Sequence, residues 1–274
     1  MRNNKLLMLL TAGFLCLVLY TLVTMRSDSK VAVVFGGADG AYIDSDNYTL
    51  ADPNRVEPTE APVDDGWPKI TLDEISALPY TMVNDDNAVS SSFAPEVAQI
   101  PGFTSMFQVD ALPHLEALIE AIKDAGFTVY VAGGYRAYTY QEKLFNGKAS
   151  QIAAGMGISD YLDPRYEEAV AEARTITAYP GCSEHQLGLA VDLMDRSYSR
   201  MVYENMNQEF FEWLDAHCAE YGFIKRYPTR KLLLTGWDEP WHYRYVGKEV
   251  ATFIMEKGIC YEEFYAHYVD GFTY

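Results

Sequence analysis

Apolar and polar residues change their spacing several times along the chain, and each change marks an element. Leu6 to Met25 is a run of twenty residues without a charge, long enough as a helix to cross about 30 Å of hydrocarbon. Arg2 and Lys5 precede it, no A-x-A-like cleavage site follows, and the run exceeds the roughly 7–15 apolar residues of a signal-peptide core. These features predict an uncleaved transmembrane anchor over residues 6–25 behind a cytoplasmic tail of residues 1–5. Arg26 and Lys30 balance the charges before the span, so charge alone does not orient it. Periodicity then disappears. Between Val31 and Ile70 eight acids stand against two bases, with Pro53, Pro58, Pro62 and Pro68 interspersed, which predicts an acidic, extended linker over residues 26–74.

From residue 75 to 274 the pattern is that of a packed domain. Leu112, Leu115, Leu118, Ile119 and Ile122 recur at helical spacing and Gly126 follows as a stop, predicting a helix over Ala111–Ala125. Phe127–Ala132, Gly188–Met194 and Trp241–Val246 read as strands. Glu142–Phe145 reads as a short helix, Glu167–Thr175, Gln208–Tyr221 and Lys248–Glu256 as further helices. Without a regular βαβ alternation, this order predicts an α+β domain built on a small antiparallel sheet flanked by helices.

Composition narrows the function. A net charge of -18, from 21 bases and 39 acids, would repel nucleic acid from most of the surface. Outside the apolar span only Cys182, Cys218 and Cys260 remain. Their spacing matches no thiolate zinc motif, and either a Cys218–Cys260 disulfide or unpaired buried thiols would fit it.

Three short segments concentrate the unusual polar residues: Gly134-Tyr135-Arg136 with Gln141, Ser183-Glu184-His185 through Asp192, and Glu239-Pro240-Trp241-His242. Asp192 ends an apolar stretch where a carboxylate needs a cation or several donors to offset desolvation. Two imidazoles and one carboxylate, His185, His242 and Asp192, suit zinc and leave a position open for water. Glu239, three residues before His242, is placed to take a proton from that water if Pro240 bends the chain ahead of the strand. An ion pair of Glu239 with Lys231 or Arg244 is the plainer alternative. Arg136 follows two glycines whose turn aims its guanidinium inward, toward a peptide carboxylate or the oxyanion of an attacked carbonyl.

Together, Gly134-Tyr135-Arg136 with Tyr140-Gln141, Pro180-Gly181-Cys182-Ser183-Glu184-His185-Gln186-x-Gly188-Leu189-Ala190-x-Asp192, and Glu239-Pro240-Trp241-His242-Tyr243-Arg244-Tyr245-Val246-Gly247 resemble the VanY-type D-alanyl-D-alanine carboxypeptidases. The resemblance covers about residues 75–265. It implies that His185, Asp192 and His242 bind zinc on the sheet, that Glu239 is the general base, and that Arg136 stabilises the reacting carbonyl. It places Ser183 and Gln141 in the substrate pocket, and Tyr135 and Trp241 are further candidates for its lining. Gly133 and Ala137 stand where such proteins often carry serine, and neither is expected to touch the metal. A Cys182–His185 nucleophile pair is an alternative that would consume a zinc ligand. The implied activity is removal of the C-terminal D-alanine from peptidoglycan stem pentapeptides, by a domain held outside the plasma membrane on a single-pass anchor. An L,D-carboxypeptidase acting on tetrapeptide stems and a non-catalytic cell-wall-binding module are the rivals, and oligomeric state is left open.

Overall fold

Side chains alternate across a strand, and in this chain that alternation separates an apolar core from a polar site. The computed structural model describes residues 66–271. The expected tail, anchor and most of the linker, up to residue 65, lie outside the described residues. Among the described residues no helix is long and apolar enough to cross a membrane.

The chain enters through α1 (Leu72–Ile75), then a small hairpin of β1 (Val97–Gln99) and β2 (Met106–Gln108), and then α2 (Leu112–Asp124). There follow β3 (Tyr130–Gly133), α3 (Tyr138–Gly155), α4 (Tyr166–Arg174), β4 (Ala190–Met194), α5 (Gln208–His217) and β5 (Phe223–Lys225). The last elements are α6 (Leu232–Thr235), β6 (His242–Tyr245), α7 (Lys248–Lys257) and α8 (Tyr261–Asp270). Strands β3, β4, β6 and β5 form, in that order, an antiparallel sheet, so the α+β expectation is met.

On one face of this sheet Val191 and Leu193 of β4, Tyr243 of β6, Phe223 of β5 and Val131 of β3 pack against Leu115, Leu118, Ile119 and Ile122 of α2 and Phe210, Phe211 and Leu214 of α5. Burying each such side chain contributes roughly 1.5–3 kcal/mol. The intervening residues Asp192, His242 and Arg244 take the other face. Register brings them together, since Asp192 is the cross-strand partner of both His242 and Gly133, and Arg244 is that of Ala190.

Several features depart from the sequence reading, the β1–β2 hairpin and the short helices α1 and α6 among them. Packing starts at Trp67 rather than at Ile75: its indole stacks on His267 at 3.7 Å and joins Ile70, Phe253 and Phe264 in a second apolar cluster. Thr71 caps α1 and Glu74 returns the bond to the Thr71 N–H. Residues 66–74 therefore belong to the domain, because α7 and α8 supply an aromatic cleft for them. Helix α3 spans eighteen residues where four were expected. Its buried face is Gln141, Phe145, Ala149 and Ala153, packed on Ala169 and Ala173 of α4, a stripe of small residues too weakly apolar to register as a period. Strand β5 and helix α8 were also missed. The first has three residues, and the second is announced mainly by its capping box, Cys260 with Glu263.

Candidate active site

Two tight turns present the site. After Gly181, a 3-10 turn over Glu184–Leu187 buries four successive side chains and ends at Gly188, whose φ of 71° suits glycine. The turn is clasped to the Gly134–Arg136 segment from both sides. The Arg136 N–H donates to the His185 carbonyl at 3.0 Å, and His185 Nδ1 lies 2.7 Å from the Gly134 carbonyl. In the second turn the His242 N–H donates to the Glu239 carbonyl at 3.1 Å. The chain thus bends around Pro240 before β6 begins, as the spacing of Glu239 and His242 required.

One ligand atom from each of His185, Asp192 and His242 can be chosen so that all lie within 4.8 Å of one another, and all three residues are buried. His185 Nε2 is 3.3 Å from Asp192 Oδ2, and His242 Nδ1 is 3.3 Å from Asp192 Oδ1. The outer neighbours decide which ring nitrogens are bare. A carbonyl only accepts, so His185 must carry its proton on Nδ1 and turn a lone pair on Nε2 toward Asp192. On His242, Nε2 faces the Glu184 carboxylate at 3.3 Å. Burial works against ionising Glu184, but Arg226 and Arg244 hold its carboxyl well below the usual range, so it too only accepts, and in the neutral ring of His242 the proton sits on Nε2 and Nδ1 is bare. Asp192 Oδ1 and His242 Nδ1 are both buried without a hydrogen-bond partner. Acceptors converging without a donor between them fit a cation, and two imidazoles with one carboxylate are a donor set for zinc.

The electrostatics are those of a buried, strongly coupled cluster. Burial, reinforced by Arg136, pushes His185 down to about 4. Burial would lower His242 as well, yet Asp192 and Glu184 push it up to about 9. Asp192 is held well below the carboxylate range by the two histidines despite its burial. Burial pushes Glu239 up, while its Oε2 sits 3.5 Å from His242 Nδ1.

Arg136 reaches the same place from β3, with Nη2 at 3.5 Å from Asp192 Oδ2. Its Nη1 donates to Gln141 Oε1 at 3.0 Å, and Gln141 Nε2 donates to the Ala178 carbonyl at 2.7 Å. A cleft of about 250 Å³ opens over the cluster, lined by Arg136, Ser183, His185, Glu239 and His242 among others. Gln141 is not on its wall: it is buried and acts through Arg136. Tyr135 is not on it either, its N–H bonded to the Met106 carbonyl. Trp241 lines an adjoining cleft instead. The alternative partners of Glu239 are engaged elsewhere, Lys231 with Glu263 at 2.6 Å and Arg244 with Glu184 at 3.0 Å. Cys182 lines the cleft, but burial and Asp85 push its thiol up, the opposite of an activated nucleophile. Cys218 and Cys260 are buried free thiols.

Sequence reasoning did not assign roles to Glu184, Arg226, Tyr227 and Trp237. Glu184 accepts from Arg226 Nε at 2.8 Å, and Arg226 makes a forked pair with Glu262 at 2.9 and 2.6 Å. Tyr227 lies beside His242, ring centroids 4.9 Å apart, and Trp237 walls the cleft. A signal for Arg244 was present, since it stands two residues after His242 on the same strand and so shares its face. Gly133 lies against the cluster. A side-chain carbon there would fall inside contact distance of Asp192 Oδ2 and 3.3 Å from His185 Cε1, so a substituent at this position would press on the cluster.

A family model described as D-alanyl-D-alanine carboxypeptidase, VanY, matches residues 104–248, a range holding every residue of the cluster. The chain belongs to the VanY family. A D-alanyl-D-alanine carboxypeptidase of Enterococcus faecalis (strain ATCC 700802 / V583) is 37% identical over 184 residues, which are 67% of this chain and 64% of that relative. The match thus spans slightly under two thirds of the relative's length. Among solved structures, a mutant of the vancomycin resistance D,D-pentapeptidase VanY, in complex with Zn(II), is 35% identical with a TM-score of 0.56, covering 67% of this chain and 96% of that one. The LdcB LD-carboxypeptidase is 29% identical with a TM-score of 0.57, covering 68% and 85%.

Proposed function

We propose that this chain is a zinc-dependent D,D-carboxypeptidase that removes the C-terminal D-alanine from peptidoglycan stem pentapeptides. One observation carries the reading: His185 Nε2, His242 Nδ1 and the Asp192 carboxylate converge, with the outer ring nitrogens already committed to Gly134 and Glu184. These three residues would hold the metal. A zinc ion bound there would supply Lewis acidity, polarising a carbonyl and lowering the pKa of a coordinated water toward about 7.

The chain's own groups do the rest. Glu239, raised in pKa by burial and facing the cluster, accepts a proton from the attacking water and passes it to the departing amine. Arg136, held by Gln141, presents its guanidinium where the penultimate carbonyl develops negative charge. Ser183 lies in the same cleft and orients the terminal residue. The cleft's volume suits the end of a peptide rather than a whole stem. We place the domain on the outer side of the plasma membrane, because the substrate is there and residues 6–25 have the length and apolarity of an anchor.

The likeness to LdcB favours one second reading, an L,D-carboxypeptidase acting on tetrapeptide stems. Mass spectrometry of purified pentapeptide and tetrapeptide stems after incubation, with and without a chelator, tests both. Loss of one alanine from the pentapeptide, abolished by chelation, is expected. Release from the tetrapeptide alone would replace the first reading with the second, and no release from either would reject both.

A further inference from the structure

The cleft over the cluster does not end at its rim. It continues into a second cleft of about 680 Å³, and Lys148, Ile176, Thr177, Trp237 and Glu239 line both. A peptide whose C-terminal end occupies the first cleft can extend through this junction into the second. Lys148 is the cation there. It is half-buried on α3 and has no salt-bridge or hydrogen-bond partner among the described residues. The nearby acids are already engaged, Glu239 with His242 at 3.5 Å and Asp238 with Thr229 Oγ1 at 3.0 Å. In a chain of net charge -18, a lysine left unpaired in a substrate channel is a counter-charge for something else.

Helix α3 also sets its distance from the chemistry. Gln141, which pins Arg136, and Lys148 are seven residues apart on one helix, about 10 Å along its axis. An extended peptide covers that in about three residues. Leu144 and Gln151, one turn to either side of Lys148, line the first cleft with it, so the helix offers a continuous wall along the path.

We propose that Lys148 is the cation of a subsite for a carboxylate carried by the third or fourth residue from the substrate's C-terminus. This rests on the carboxypeptidase reading and names the substrate class more closely: stem peptides with a free acid at that place, rather than amidated ones. A charge-assisted contact of this kind in a half-open cleft favours the acid about 5- to 10-fold over its amide.

The test uses full-length protein and four synthetic peptides ending in D-Ala-D-Ala, with a carboxylate or the matching amide at the third or the fourth residue from the end. Dissociation constants are measured by calorimetry in a Glu239→Ala background, and KM in the parent. The acid is expected to bind 5- to 10-fold tighter than the amide at one of the two positions. That ratio should fall to about one in Lys148→Gln and invert in Lys148→Glu, with circular dichroism verifying an intact fold. An equal ratio in parent and Lys148→Gln, or no preference at either position in the parent, overturns the subsite. Failure of the parent to cleave any peptide would instead overturn the activity, and the calorimetric ratios would still decide the role of Lys148.

Discussion

Glu184→Gln removes one charge from the least accessible part of the molecule while keeping its shape. The Glu184 side chain has no exposed surface, accepts from Arg226 Nε at 2.8 Å, pairs with Arg244 Nη1 at 3.0 Å and faces His242 Nε2 at 3.3 Å. Arg226 retains its fork on Glu262 after the change. Arg244 retains only the Pro79, Thr81 and Tyr245 carbonyls and no carboxylate among the described residues. One buried guanidinium is therefore left uncompensated, which costs about 3 kcal/mol, the lower end for breaking a buried pair. At about 2–4 °C per kcal/mol for a domain of this size, Tm should fall by about 6–12 °C. The loss should depend on pH. Because the folded state holds Glu184 well below its ordinary value of 4.5, its contribution is fully present above that value and fades as pH falls below it. Parent and variant should converge in acid. A glutamine can also turn its amide nitrogen toward His242, loosening the proton assignment that bares Nδ1, so zinc affinity should drop 10- to 100-fold. Thermal unfolding from pH 3 to 8, with competitive zinc titration at neutral pH, measures both. A Tm within about 2 °C of the parent at pH 7, with unchanged zinc affinity, would refute the argument.

Other perturbations separate the remaining parts. Glu239→Ala should bind zinc like the parent but lose about 10²- to 10⁴-fold in kcat, which single-turnover assays at saturating peptide would show. Chelation should abolish turnover, and zinc at a hundred times its dissociation constant should add about 2.7 kcal/mol to stability, read as a rise in Tm over the metal-free protein. Gly133→Ala should weaken zinc binding on the order of tenfold by pressing on Asp192 and His185, measured by the same competitive titration, with the apolar face of the sheet unaffected by circular dichroism. Arg136→Lys keeps a charge but cannot satisfy Gln141 and the cleft together, so kcat should fall more than KM rises in steady-state kinetics.

The sequence announced the elements whose apolar residues recur with a clear period, as in α2, and the three polar segments that stand out against apolar surroundings. Helix α3 escaped because, apart from Phe145, its buried face is alanine and glutamine, which carry little hydrophobic signal. Gln141 and Tyr135 illustrate a different limit. The resemblance implies that Gln141 lines the substrate pocket and offers Tyr135 as a further candidate; in the fold the Gln141 side chain braces Arg136, and the Tyr135 N–H pairs with the Met106 carbonyl. The Glu184–Arg226–Arg244 network was hidden for a third reason. Arg226 and Arg244 stand 42 and 60 positions from Glu184, and a buried charge is legible only once its counter-charge is known to be near.

The pairing of Asp192 with His242 has a bearing on quality control. If β4 slid by a single position against β6, every side chain of β4 would exchange faces: Val191 and Leu193 would be thrust into the polar cleft, and Asp192 into oil, away from His242. Such a molecule would forfeit its hydrophobic adhesion and its ion-gathering geometry in the same slip. Correct alignment of two short strands is thus a single gate for both properties, and a chain that has passed it to become stable has already assembled its chemistry.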